Sequence, residues 1–216
     1  MLRYEDEALI DYAWLTVEKL EFKILVMASV LAMNNRAFLG TIADITNYLG
    51  IANNRSNKSK INEALSKLTR QGFIVRVNDK ENVIIALSYD AKNNSKVISI
   101  QRTWIDIIRQ YNPSKKDDRV AWETILRVFI YLLGNCGKGI IKYKQIASDL
   151  SLSESTVKRA VKALCNIDFG NIQVEKERVL DKKDIGNKTI YQCLGTQFTI
   201  MINFDGLRLE NNNLDK

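Results

Sequence analysis

Ser153, Ser155, Thr156, Lys158, Arg159 and Lys162 lie close together on a stretch whose apolar residues are spaced for a helix. Val157, Ala160, Val161 and Leu164 recur at helical intervals and form one face, so the hydroxyls and cations occupy the open faces. This set suits anion and base-edge recognition. Hydroxyls and first-turn N–H groups bond phosphate oxygens, and an arginine fork can grip O6 and N7 of guanine. Ser153 is placed to cap the helix by accepting from an unpaired N–H. Arg159 is the candidate for base readout, and Ser155 and Thr156 could contact bases or phosphates. A solvated face with no ligand, or one used for a protein contact, is the alternative.

The pattern around this helix occurs twice. Ile146, Leu150 and Leu152 precede it, and Ile45, Leu49 and Ile51 stand in the same spacing ahead of Ile61, Ala64, Leu65 and Leu68. Two short amphipathic helices joined by a tight turn make a helix-turn-helix, whose second helix enters the major groove of duplex DNA. The first copy is five residues longer between its two apolar sets. The sequence assigns those residues to the turn, Ala52 to Ser56, from which Arg55 could reach the phosphate backbone. Asn57 then takes the capping position of Ser153, and Lys58, Ser59 and Lys60 match Glu154, Ser155 and Thr156. Asn62 and Glu63 match Lys158 and Arg159, so the two copies should not read the same bases. Glu63 also allows the first copy to be mainly a dimerisation unit.

The surrounding elements repeat as well. Residues 3–18 predict a lead-in helix with Leu9, Ile10, Ala13 and Trp14 on one side, and 19–34 a strongly apolar helix. Thr41 resembles an N-cap for a helix ending at Leu49, Gly50 suits the following turn, and 57–71 make the third helix. The period then changes to two at 73–77 and 83–87, with a polar tip between, and a further strand is expected at 97–100. A connecting helix at 103–111 leads to Asn112–Asp118, which holds the only proline and reads as a solvated linker. Helices are expected again at 122–133, 142–150 and 153–165. Strands at 172–179, 189–194 and 198–202 follow, the last taken as the counterpart of 97–100. Three helices followed by a hairpin is the order of a winged helix. The expected wings carry Arg76 and Lys80 in the first half, and Lys176, Arg178, Lys182, Lys183 and Lys188 in the second. Lys182 and Lys183, on the joining segment, are candidates for phosphate contact without sequence reading.

Composition bounds the chemistry. The chain has 216 residues, a formal charge of +7 and no histidine. A basic balance favours a polyanionic partner. Without histidine no Ser-His or Cys-His nucleophile can form, and no zinc site can draw on imidazole. Cys136, Cys165 and Cys193 are far apart, and Cys165 reads as a buried free thiol. Gly134-Asn135-Cys136-Gly137-Lys138-Gly139 lacks the spacing of a phosphate loop and follows a helix, so it reads as a turn. No run approaches the roughly 20 apolar residues of a membrane helix. The acidic start, Glu5-Asp6-Glu7, is unlike a secretory signal, which predicts a cytoplasmic protein with no membrane association.

From Trp122 through Ile146-Ala147 and Ser153–Arg159 to Leu164, the second half resembles the winged-helix domains of bacterial and mobile-element DNA-binding proteins. The segment Ser153-Glu154-Ser155-Thr156-Val157-Lys158-Arg159 resembles them most. The match to winged helices covers residues 14–204. The tandem arrangement, with the segment Leu9 to Leu31, resembles that of plasmid replication initiators. The resemblance implies that one domain supports dimerisation while the other dominates DNA contact. The expectation is an α+β protein with two tandem winged helices: residues 1–111, a linker at 112–118, residues 119–204 and a polar tail at 205–216. It is expected to bind duplex DNA without cofactor, metal or enzymatic activity, as a transcriptional regulator or an initiator that recognises origin DNA. A homodimer and contacts with replication or transcription machinery belong to that expectation. The alternative is an architectural or partition adaptor, with one winged helix on DNA and the other on a protein.

Overall fold

Local sequence signals start most of the helices, and pairing between distant segments decides the rest. The computed structural model describes residues 6–33, 36–79, 82–89, 96–113, 116–135, 141–170, 172–185 and 188–202. Its elements are mixed α and β. The first half runs β1 (Glu7–Asp11), a 3-10 turn (Tyr12–Thr16), α1 (Lys19–Leu31), β2 (Ala37–Thr41), α2 (Ile42–Leu49) and α3 (Arg55–Arg70). It continues with β3 (Ile74–Asp79), β4 (Asn82–Leu87), β5 (Val97–Gln101) and α4 (Arg102–Gln110). The second half runs α5 (Trp122–Asn135), α6 (Tyr143–Asp149), α7 (Glu154–Asn166), β6 (Ile172–Ile185) and β7 (Lys188–Ile202).

The expected lead-in helix is instead strand β1 followed by the 3-10 turn. Its apolar spacing fits a helix, but antiparallel pairing with β5, Ala8 opposite Ile100 and Ile10 opposite Ile98, buries Ala8 and Ile10 completely. The Asp11 carboxylate accepts from the Ala13 N–H and starts the 3-10 turn. Strand β5 is therefore committed to β1 and is not the counterpart of residues 198–202. Those residues form one continuous strand with 189–194, so β6 and β7 make a single long hairpin of 14 and 15 residues. A register shift between Val179 and Leu180 absorbs the one-residue mismatch that broke the sequence pattern.

Strand β2 was not expected from the sequence. It pairs with β4, which also pairs with β3, giving the order β2-β4-β3. Phe38 and Ile85 point inward from this sheet, at 3% and 0% exposure. The opposite face carries Leu39, Val75 and Val77, exposed by 59%, 57% and 52%. Leu39 and Val77 flank Ile84 in a single row across the three strands. Met33, 71% exposed, bridges to Ala37 beside that row.

The buried side chains of both halves form one continuous cluster. Helix α1 is buried almost all round, from Glu21 to Val30, although Leu31 faces out. Helix α5 of the second half packs on it. Glu123 of α5, 1% exposed, pairs with Lys19 at 2.6 Å and Lys23 at 3.5 Å. Arg127, also on α5, donates to the Val17 carbonyl at 2.6 Å and lies over the Phe22 ring. Trp104 of α4, Phe129 of α5 and Phe169 beyond α7 meet in an aromatic cluster, with the two phenylalanine rings stacked at 5.3 Å. Among the described residues, no helix is long and apolar enough to cross a membrane.

Candidate nucleic-acid interface

The two helix pairs are built alike at the level of the backbone. Thr41 caps α2: its hydroxyl accepts from the Asp44 N–H, and the Asp44 carboxylate accepts from the Thr41 N–H at 2.7 Å. That backbone bond holds the Asp44 pKa below its usual value. After α2, Gly50 takes a left-handed φ of 65°, and Ile51 N–H donates to the Thr46 carbonyl at 3.0 Å. After α6, Ser151 takes a φ of 52°, and Leu152 N–H donates to the Ala147 carbonyl at 2.8 Å. The residues that match in sequence therefore match in turn geometry, with serine in the place of glycine. Helix α4 supports the first turn. Arg109 donates to the Tyr48 carbonyl at 2.6 Å, with its guanidinium 3.7 Å from the centre of the Tyr48 ring. In the second half, Tyr131 of α5 donates to Asp149 of α6 at 2.7 Å.

Both second helices then start on a side-chain cap. Ser153 Oγ accepts from the Thr156 N–H at 3.1 Å, as its sequence position suggested. In the first half the cap is Asn54, not Asn57: Asn54 Oδ1 accepts from the Asn57 N–H at 2.9 Å. The Asn57 amide instead donates to the Ala52 carbonyl and closes the turn. Helix α3 thus begins at Arg55, and Arg55 and Ser56 are helical. Of the five additional residues, two lengthen the turn between Gly50 and Asn54, and three add a first turn to the helix before Ile61. The core positions agree with the sequence reading: Ile61, Ala64, Leu65 and Leu68, and Val157, Ala160, Val161 and Leu164, are all buried.

The outward side chains differ between the copies. On α3, Arg55, Lys58, Ser59 and Lys60 are exposed, and the three cations have no ion-pair partner among the described residues. Asn62 is half-buried and already occupied. It accepts from Arg76 of β3 at 2.6 Å, and Arg76 also donates to Asn78 at 2.8 Å. Arg76 thereby locks β3 to α3, which the sequence did not reveal because the two residues are fourteen positions apart on different elements.

On α7, Ser153, Ser155 and Thr156 cluster their hydroxyls, with Ser153 Oγ at 2.9 Å from Ser155 Oγ and 2.8 Å from Thr156 Oγ1. Lys158 pairs with Glu154 at 2.6 Å, one helical turn away. Lys162 Nζ donates to both oxygens of Asp118, at 2.8 and 2.7 Å. Arg159 makes a long contact of 3.4 Å to the Arg119 carbonyl. At the end of the expected linker, Lys116–Asp118 form a 3-10 turn, and Asp118 is tied to α7 through Lys162.

Lys182 and Lys183 lie within β6, opposite Tyr191 and Ile190, and not on a joining loop. Their side chains, with those of Arg178 and Lys188, lie outside the described residues, as do Lys80, Cys136, residues 137–139 and the tail. Ile172 and Val174 anchor the hairpin base in the core, while Glu175, Lys176 and Glu177 are exposed. Cys165 is free and half-buried, and burial raises its thiol pKa, which disfavours the reactive thiolate. Compared with known proteins, the chain matches no family model, no curated protein and no solved structure.

Proposed function

We propose that this chain is a sequence-specific duplex DNA-binding protein built from two tandem winged-helix units, residues 1–111 and 119–204. The observation that carries the reading is the duplicated turn. Gly50 and Ser151 share a left-handed backbone, each is followed by a side-chain-capped helix, and each helix turns hydroxyls and cations outward. The order of helices, then an antiparallel hairpin, supports winged helices in both halves. In this reading α3 and α7 are the recognition helices. Arg55, Lys58 and Lys60 neutralise phosphates, Ser59, Ser155 and Thr156 contact phosphates or base edges, and Arg159 reads a guanine. The β6–β7 hairpin, about 45 Å long at roughly 3.3 Å per residue, carries Lys182 and Lys183 along the duplex. The role is recognition of an operator or an origin, by a regulator or an initiator.

A contact between two copies fits the same reading. Leu39, Val75 and Val77 leave an apolar sheet face open on the first unit, where a dimer would bury it.

The test is selection of the full chain against random duplexes, followed by titration of the enriched site in salt. The expected outcome is one enriched motif. Its affinity should fall about a thousandfold between 50 and 200 mM salt, as for six or more phosphate contacts. Recovery of random sequence with no preference would refute specific recognition, and a flat salt response would refute phosphate-driven binding.

A further inference from the structure

In the free protein the C-terminal recognition helix already holds an anion of its own. Ser155, Arg159 and Lys162 lie on the side of α7 opposite the buried Val157, Ala160, Val161 and Leu164. That is the side a recognition helix turns to the major groove. Asp118 sits at this side with both carboxylate oxygens on Lys162 Nζ, and the next residue's carbonyl faces Arg159. A carboxylate accepting twice from a lysine ammonium occupies the place that two phosphate oxygens would take. Asp118 and Arg119 stand just ahead of α5, so the strap is covalently tied to the body it masks. The third cation, Lys158, is paired within the helix to Glu154.

We infer that the segment Lys116–Arg119 is an intramolecular competitor for DNA on α7, with Asp118 standing in for a phosphate, and that duplex DNA must displace it. The inference rests on the DNA-binding reading and adds to it a regulation of the same site. It also orders the two contacts. Helix α3 offers Arg55, Lys58 and Lys60 with no ion-pair partner among the described residues, so it engages first. Engagement by α7 follows when Lys162 exchanges Asp118 for the backbone. The strap joins the two halves, so its release is coupled to how they are tethered. Lys162 is 51% exposed and Asp118 27%, so the pair is solvent-screened and the barrier it adds is small. A weak clip suits a device that must open on contact.

The experiment is a double-mutant cycle on the full chain, using the duplex enriched by the wild-type protein. Asp118→Asn keeps the shape and removes the competing charge, while Lys162→Gln removes the lysine that the strap and the phosphate share. The expected result is that Asp118→Asn tightens binding by about two- to fivefold at low salt, the scale of one exposed ion pair. In the Lys162→Gln background the same change should have no effect. A second readout needs no DNA: acetylation of Lys162, followed by mass spectrometry, should be faster in Asp118→Asn than in wild type. An equal gain with and without Lys162 would overturn the clip, because it would mean only that a negative charge near the duplex had been removed. No gain and no change in acetylation would overturn it as well. Failure of every variant to prefer any duplex would overturn the DNA-binding reading, a result distinct from either of these.

Discussion

Gly50 and Ser151 occupy the same left-handed position in their turns, yet only glycine adopts it without a steric cost. For an L residue with a Cβ that conformation costs roughly 1–2 kcal/mol. Gly50→Ala is therefore expected to lower unfolding free energy by about 1 kcal/mol, and nothing lies within 4 Å of an added Cβ to add a packing penalty. Ser151→Gly should do the opposite, by a few tenths to about 1 kcal/mol, since relief of strain is offset by unfolded-chain entropy. Urea titrations with an unchanged slope test both, and a loss of stability in Ser151→Gly would contradict the strain. Arg159 belongs to this scale too. Arg159→Ala should cost about 1–3 kcal/mol on the preferred duplex and much less on random sequence. Lys182→Ala with Lys183→Ala should weaken both alike and lower the salt slope. Equal losses on specific and random DNA for Arg159→Ala would reverse these roles.

At the scale of elements, the first turn of α3 and the outer face of the β2-β4-β3 sheet set the first half apart. The added helical turn brings Arg55 onto the helix, so its cation is held by a regular backbone and not by a loop. The sheet face combines Leu39, Val75, Val77 and Met33, none of which any described element covers enough to bury. Val75→Lys with Val77→Lys should leave monomer stability within about 0.5 kcal/mol, because both side chains already meet solvent. The pair of changes should shift sedimentation velocity from dimer toward monomer. A wild-type chain that sediments as a monomer at every concentration would remove the dimer from the reading.

Over the whole molecule the two halves share one core, and this governs how they can be studied. Glu123 and Arg127 on α5 reach α1 and Val17, and the Trp104, Phe129 and Phe169 rings pack across α4, α5 and the end of α7. Cutting between 112 and 118 would expose that interface. Each half is then expected to lose stability, so comparison of isolated halves is a poor test of the proposed division of DNA contact between them. Substitutions on α3 and α7 within the full chain are the better measure. Calorimetry should give a single cooperative transition. Glu123→Gln, which keeps the shape but leaves Lys19 and Lys23 without their carboxylate, should lower stability by about 1–3 kcal/mol. Two well-separated transitions would show instead that the halves fold independently.

The parts of this protein legible from residue order are those that local physics controls. Helical periodicity placed α2, α3, α6 and α7 and their buried positions, and Thr41, Ser153 and Gly50 marked caps and a turn through bonds formed within a few residues. Local signals were less decisive where two candidates competed. Asn54 and Asn57 are both able to cap, and only the structure shows Asn54 doing so while Asn57 closes the turn. Long-range pairing was out of reach. The apolar spacing of residues 8–14 suits a helix, but β5, some ninety positions later, offers a partner that makes residues 7–11 a strand. A one-residue bulge hid the continuity of β6 and β7. The partners of Asn62 and Lys162 come from other elements, Arg76 from β3 and Asp118 from the linker. A charge's sequence position says which ion it can attract. Which ion it meets first depends on what the folded chain brings within about 3 Å from other elements.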